Sequence, residues 1–339
     1  MYPNLKIKQM RKLIIYLLLI AITKSYSQEL NLPVFTQYLA DNNFVVSPTY
    51  AGIGDYLKIR ANGLTQWVGI KGAPDNQSVY ADIRIANRSG VGVSFYSDRN
   101  GNTIQSGAKL SYAHHLILDV TTEQYLSLGL SYNINSFKID ISNFNTTYEN
   151  PIIDPFVTDN RATTNNNFDV GALYRYKDFF FSLNVNNILE KEVEDYRVAE
   201  PNQLMNFQVY SGYTFRQNGK KGKNRLEIEP SLYYQLFASD SRSSTDLNIK
   251  FRKYGRNDDY FWGGLSYRFL NDQLLKPLNI GPMLGFKKSI FYFGYAYQIT
   301  MNDLSSYNSG THVVTIGLDF LRNISNCPCT RTRADYANY

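Results

Sequence analysis

From Tyr56 onward the chain alternates apolar and polar side chains in short segments separated by turn residues. Val79, Ala81, Ile83 and Ile85 alternate with Tyr80, Asp82 and Arg84. Leu126, Leu128, Leu130 and Tyr132 alternate with Ser127, Gly129 and Ser131, and Leu247, Ile249 and Phe251 alternate with Asn248, Lys250 and Arg252. Phe207, Val209, Ser211, Tyr213 and Phe215 alternate with Gln208, Tyr210, Gly212 and Thr214 in the same way. A period of two is the mark of a strand with two unlike faces. By pattern and turn spacing there are about fourteen such segments. They fall near 57–66, 78–86, 91–98, 105–116, 124–135, 167–176, 179–187, 206–216, 225–236, 244–252, 260–269, 279–287, 290–299 and 312–321.

Alternation alone fits two architectures. One is a membrane barrel with a lipid face and a polar lumen; the other is a secreted sandwich with one face on a soluble core. The connections separate them. Counted from the first strand, the odd connections are mostly long, as at 136–166, 188–205 and 300–311. The even ones are tight, as at Asn87-Arg88-Ser89-Gly90, Lys177-Asp178 and Lys288-Ser289. Up-and-down outer-membrane barrels have short periplasmic turns and long external loops, whereas a sandwich has no reason to sort its loops by parity. The pattern therefore predicts an all-β chain, a transmembrane up-and-down antiparallel β-barrel of about fourteen strands, with an even count placing both termini in the periplasm.

Composition adds to this picture. The chain holds 28 Tyr and 20 Phe against two Trp, with a mean hydropathy of -0.34. Apolar runs beyond the N-terminal region stay well short of the roughly 18 residues of a membrane helix. Lys6, Lys8, Arg11 and Lys12 precede an apolar run from Leu13 to Thr23, and Ser25-Tyr26-Ser27 offers small residues for cleavage before Gln28. This is the layout of a signal peptide, with Met10 as a possible alternative start. The leader also explains the basic balance: without its Lys and Arg residues the chain is near neutral, so the pI of 9.0 is no sign of nucleic-acid binding. The expected organisation is a signal peptide over 1–27, an N-terminal periplasmic segment over 28–55, the barrel over 56–322 and a C-terminal periplasmic tail over 323–339.

Both ends of the mature chain carry recognisable motifs. Gln37-Tyr38 is followed by Ser47-Pro48-Thr49-Tyr50-Ala51-Gly52, then by Gln66-Trp67-Val68-Gly69 with Gly72-Ala73-Pro74. Near the other end, Ser309-Gly310-Thr311-His312 leads into Thr315-x-Gly317-x-x-Phe320, and Cys327-Pro328 follows in the tail. In this order and spacing the chain resembles the PorP/SprF family of outer-membrane proteins of the type IX secretion system. Ser47 stands where that family usually has Asn, and Thr49 where it usually has Ala. Cys329-Thr330 replaces the usual basic and aromatic continuation of the tail. The resemblance implies a non-catalytic component that supports export, anchoring or surface display of adhesin or gliding-motility cargo. The implied partners are the type IX machinery, a large secreted adhesin or its C-terminal domain, and the lipid bilayer, with no nucleic acid.

Candidate chemistry is sparse. His114 and His115 are adjacent and so point to opposite faces of a strand; His312 lies at a loop boundary. No Gly-x-Ser-x-Gly or His-Glu-x-x-His pattern occurs. Cys327 and Cys329, two residues apart, are either free or joined in a strained local disulfide, and lack further ligands at zinc spacing. The expectation is no enzyme, no cofactor, no metal site and no assignable binding residue. Two rival readings remain. A passive porin or hydrophobic-compound channel would use inward charges such as Arg60, Asp82, Arg84 and Lys250 to line a pore, although these can equally pair within a plugged lumen. A structural outer-membrane protein or secreted adhesin would need no transport role. The loop at 143–167 either shields the barrel mouth or offers a contact surface to a partner, the charged loop at 190–195 either plugs the lumen or faces solvent, and the basic turn at 217–223 is a hairpin tip that could meet an acidic periplasmic partner.

Overall fold

The computed structural model describes residues 43–70, 72–139, 162–189, 205–217, 225–238, 241–255, 259–271, 273, 275–301, 303–322 and 325–331. The leader, the Gln37-Tyr38 motif, the 190–195 loop, the basic turn over 218–223 and most of the 143–167 loop lie outside these residues. Fourteen antiparallel strands form one closed barrel. They are β1 (Leu57–Thr65), β2 (Asp75–Ala86), β3 (Ser89–Asn100), β4 (Thr103–Asp119), β5 (Gln124–Ile139), β6 (Ala162–Tyr176) and β7 (Phe179–Asn186). Next comes β8 (Asn206–Tyr213, continued after Thr214 by Phe215–Gln217), then β9 (Leu226–Phe237) and β10 (Ser243–Tyr254). The last four are β11 (Tyr260–Leu270), β12 (Lys276–Lys288), β13 (Phe291–Thr300) and β14 (Thr311–Phe320).

Each strand pairs with its neighbours in sequence, and β14 closes on β1 from Leu57↔Phe320 to Thr65↔His312. Closure removes the sheet edge, so backbone groups along the wall find partners within it, as lipid requires. Two interior prolines leave local gaps. Pro230 in β9 has no N–H to give β8, and the β8–β9 ladder breaks between Gly212↔Ser231 and Phe215↔Ile228 without changing register. Thr214 N–H turns to Asp178 O at 3.0 Å instead. Pro282 interrupts the β12–β13 ladder in the same manner, between Ile280↔Ile299 and Met283↔Ala296.

Burial is inverted relative to a soluble protein. Phe95, Leu110 and Ile316 are 56%, 58% and 57% exposed, whereas Arg60, Asp169 and Asp246 are 1%, 0% and 0% exposed. The apolar half of each alternating segment faces outward and the polar half faces the lumen, which decides for a membrane barrel and against a sandwich. Exposed Tyr176, Phe179, Phe215, Phe261 and Phe291 all lie near the short-turn end, where an aromatic girdle meets the membrane interface.

The short turns 87–88, 120–123, 177–178 and 289–290 share one end of the barrel. The opposite end carries the described loop residues 66–70, 72–74, 187–189 and 303–310, and a tight turn at Gly101-Asn102. Strand lengths agree with the sequence reading except around the largest loop. There β5 and β6 run well past the expected 124–135 and 167–176, because their pairing continues from Asn133↔Asn167 to Lys138↔Ala162. Asn and Thr in this stretch read as loop in sequence, yet register with a neighbouring strand overrides that weak local preference.

Depth in the membrane sets a prediction. Ile316→Arg, on the outer face within β14, should lower unfolding free energy in lipid vesicles by about 2–4 kcal/mol, against ~0–1 kcal/mol for Leu118→Arg beside a short turn. Urea titrations followed by tryptophan fluorescence measure both, and equal effects would contradict the membrane-spanning assignment.

Candidate functional site

The feature that organises the lumen is a row of small residues across its inner wall. Gly90 on β3 pairs with Ala113 on β4, Ala113 with Gly129 on β5, Gly129 with Gly171 on β6, and Gly171 with Asn184 on β7. Register therefore places them side by side across consecutive strands. The chain ahead of β1 lies on this ledge. A Cβ at Gly129 would come 2.6 Å from Thr49 N, one at Gly171 2.7 Å from Ser47 Oγ, and one at Gly90 2.2 Å from Ala51 O. A larger side chain at these sites would collide with that segment.

The plugging segment has local reasons for its shape. Ser47 has an extended backbone and its hydroxyl accepts from Thr49 N at 3.3 Å, while Pro48 supplies the fixed φ that starts a 3-10 turn. Gly52 has φ +76°, a conformation glycine adopts at little cost, and its own missing Cβ lets it meet Gly90. Polar contacts then hold the segment to the wall. Gly52 N–H donates to Asp82 Oδ2 at 3.1 Å. His115 Nε2 donates to Ala51 O at 3.0 Å, and its Nδ1 faces Ser127 Oγ at 2.8 Å. Arg84 donates to Gly54 O at 3.0 Å and pairs with Asp55 at 3.4 Å; Lys58 Nζ donates to Ile53 O at 2.8 Å. Phe44, Val46, Tyr50, Ala51 and Ile53 form one buried apolar cluster with Ala113, Leu173, Tyr210 and Tyr233 of the wall.

The tail past β14 closes over the same end. Gly54 N–H donates to Thr330 O at 2.8 Å, Ser325 N–H to Asp55 Oδ1 at 3.3 Å, and Thr330 Oγ1 to Asn87 O of the β2–β3 turn at 3.2 Å. Cys327 and Cys329 are joined by a disulfide and pack on Tyr125 and Ile117. At the opposite mouth the other two motif pieces meet. Val68 N–H donates to Gly310 O at 3.1 Å, Ser309 N–H donates to Val68 O at 2.9 Å, and Gly101 N–H donates to Gly72 O at 3.0 Å. Motifs from the two ends of the chain thus form two contacts, one at each end of the barrel.

The remaining lumen charges are paired. Asp319 takes Arg60 at 2.6 Å and Lys287 at 2.8 Å, with the Arg60 guanidinium over the Tyr292 ring. Glu227 gathers Arg216, Arg225 and Arg252 at 3.0–3.2 Å, Glu229 takes Lys250 at 3.2 Å, and Arg268 grips Asp246 through two nitrogens. Arg60, Asp82, Arg84 and Lys250 therefore all engage internal partners. Amides fill much of the rest: Asn206 Oδ1 accepts from Asn186, Gln208 and Gln235 at 3.0–3.3 Å. His114 faces Ser89 at 3.0 Å and His312 faces Tyr295 at 2.7 Å. Among the described residues no cluster of three His, Cys, Asp or Glu is placed to hold a metal ion.

The sequence reading did not single out the ledge. Its only signal was small residues at lumen-facing positions of otherwise regular strands, three glycines and Ala113, which matter only once register aligns them. Gly129→Val should unseat the plug while suiting the strand, since Val favours β structure; overpacking of this kind costs about 1–3 kcal/mol. A thiol introduced as Thr49→Cys should then react with a maleimide faster than in the Gly129 barrel. Unchanged labelling would mean the ledge does not position the segment.

A scan against protein families matches residues 27–318 to "Type IX secretion system membrane protein PorP/SprF". No curated protein matches the chain. Solved structures with distant likeness are outer-membrane barrels. The TodX monoaromatic hydrocarbon channel aligns at 9% identity and TM-score 0.45, over 81% of this chain and 91% of that one. CdiB from Acinetobacter baumannii aligns at 7% identity and TM-score 0.38, over 78% of this chain, which spans 60% of the CdiB chain. The translocator domain of the autotransporter NalP from Neisseria meningitidis aligns at 10% identity and TM-score 0.35, over 79% and 88%. These likenesses are too slight to carry any argument about function. The match over residues 27–318 is of another order, and the chain belongs to the PorP/SprF family of type IX secretion system membrane proteins.

Proposed function

We propose that this barrel is a non-catalytic outer-membrane component that supports export, anchoring or surface display of adhesin or gliding-motility cargo. It would do so as a platform in the membrane, with type IX machinery and a large secreted adhesin, or that adhesin's C-terminal domain, as partners. The observation that carries this reading is the plugged lumen. The chain's own residues 44–55 lie on the ledge, backed by the tail, and the inward charges are spent on internal pairs. A passive porin or hydrophobic-compound channel would want that space and those charges for solute, so this second reading has less support. In our reading the signal peptide covers 1–27, and the short-turn end, where β1 begins and β14 ends, faces the periplasm. The segments 28–55 and 323–339 then belong to that side, with 56–322 as the barrel.

The test is affinity capture of the tagged mature protein from detergent-extracted outer membranes, with co-purifying proteins identified by mass spectrometry, beside conductance of the pure protein in planar bilayers. Enrichment of a large adhesin or of type IX machinery, with no steady conductance, is the expected outcome. Steady conductance without such partners would replace this reading with the porin.

A further inference from the structure

The tail carries chemistry that the proposed function does not use. Residues 325–331 form a small knot. Cys327 N–H donates to Ser325 Oγ at 3.0 Å, Ser325 Oγ lies 2.6 Å from Thr330 Oγ1, and Arg331 Nε donates to Ser325 O at 2.7 Å. The Cys327–Cys329 disulfide closes this knot across Pro328, and Cys327 Sγ accepts from Cys329 N at 3.3 Å. The knot holds the rest of the protein mainly through its carbonyls. Arg175 of β6, its guanidinium 5.5 Å from the centre of the Tyr125 ring, donates to Cys329 O and Arg331 O, and Thr330 O receives Gly54 N–H of the plug at 2.8 Å.

Carbonyl direction is set by backbone conformation, so these contacts exist only while 327–330 keep this turn. The apolar anchorage behind it is slight: Cys327 and Cys329 against Tyr125 and Ile117. The cross-link is the element that holds the turn when those contacts open, because it removes conformations from the released tail. It also sits where the tail meets the plug, so release of the tail takes Thr330 O from Gly54 N–H and Ser325 N–H from Asp55, two of the contacts that hold the plug.

We propose that Cys327 and Cys329 are an oxidation site that latches the plug in the barrel. Oxidation joins the two sulfurs; the two electrons and two protons pass to a disulfide-bearing oxidant, which becomes a dithiol. A dithiol reductant reverses the step through a mixed disulfide, once the buried tail has opened. In the reduced chain the tail leaves Arg175 and Thr330 O leaves Gly54. The inference concerns the plug alone and stands whatever cargo the barrel serves.

The test compares the oxidised barrel with a C327S/C329S variant, both carrying Thr49→Cys as a labelling site and both shown to be folded by heat-modifiable migration in gels. Two rates are read: tryptic cleavage after Arg331 and maleimide labelling of the plug thiol. A short loop lies at the low end of disulfide stabilisation, so both rates should rise about tenfold in the variant. Equal rates in the two proteins would overturn the latch. Faster cleavage with unchanged labelling would also overturn it, since the tail would then open without the plug. If the variant does not fold, the barrel without Thr49→Cys, treated with a phosphine reductant, replaces it, and deuterium uptake over residues 44–55 replaces maleimide labelling. Faster cleavage after Arg331 together with faster uptake over 44–55 upholds the proposal, and either rate unchanged sinks it.

Discussion

A backbone in hydrocarbon must satisfy its own hydrogen bonds, and everything else in this protein follows from how the chain meets that demand. Closing β14 on β1 meets it along the wall. Closure then creates a second problem, an enclosed space lined by the polar half of every strand. The chain fills that space from its own stock: carboxylates meet guanidinium and ammonium groups across neighbouring strands, amides chain together around Asn206, and the segment before β1 takes up the short-turn end. Buried ion pairs are costly in isolation because both partners lose water. Here the alternative is a lipid-facing charge, which is worse, so the lumen is where such groups belong.

The plug shows how backbone register is turned into a binding surface. Gly90, Ala113, Gly129 and Gly171 are spread over four strands, and none has a side chain that could grip anything. Their contribution is the space they leave, and the plug fits it with its own small residues Ser47, Ala51 and Gly52. Polar specificity comes from the residues flanking that track: Asp82, His115 and Asn184 each reach one atom of the plug, and Arg84 reaches two. This matching explains why Ser47–Gly52 forms so compact a motif although it holds nothing catalytic.

Much of this was legible in the sequence because the fold class depends on a local property. Alternation along one strand needs no knowledge of its neighbours, so all fourteen strands and the sorting of loops could be read directly. Pro230 and Pro282 did not obscure the strands they interrupt, since each removes a donor without shifting register. The ledge depends on the offset between strands, which no single segment encodes; Gly129 looks the same whether it faces Thr49 or an empty lumen. The cysteines show the same limit. Their spacing allowed a disulfide but could not tell that Arg175, more than 150 positions away in the chain, would be donating to the carbonyl of Cys329.

The ledge also bears on the order of assembly. It is built from β3 to β6, and most of the plug's polar contacts lie between β2 and β7, in the first half of the barrel. These contacts link parts of the chain that are comparatively near in sequence, which form earlier than distant ones because less loop entropy is lost. The β1–β14 seam joins the most distant strands of all. A curved, still-open sheet can accept the N-terminal segment from the side, whereas a finished cylinder would admit it only through an end. The wall is thus in a position to be wound around its own stopper, as a hoop is bent around a core before its ends are joined.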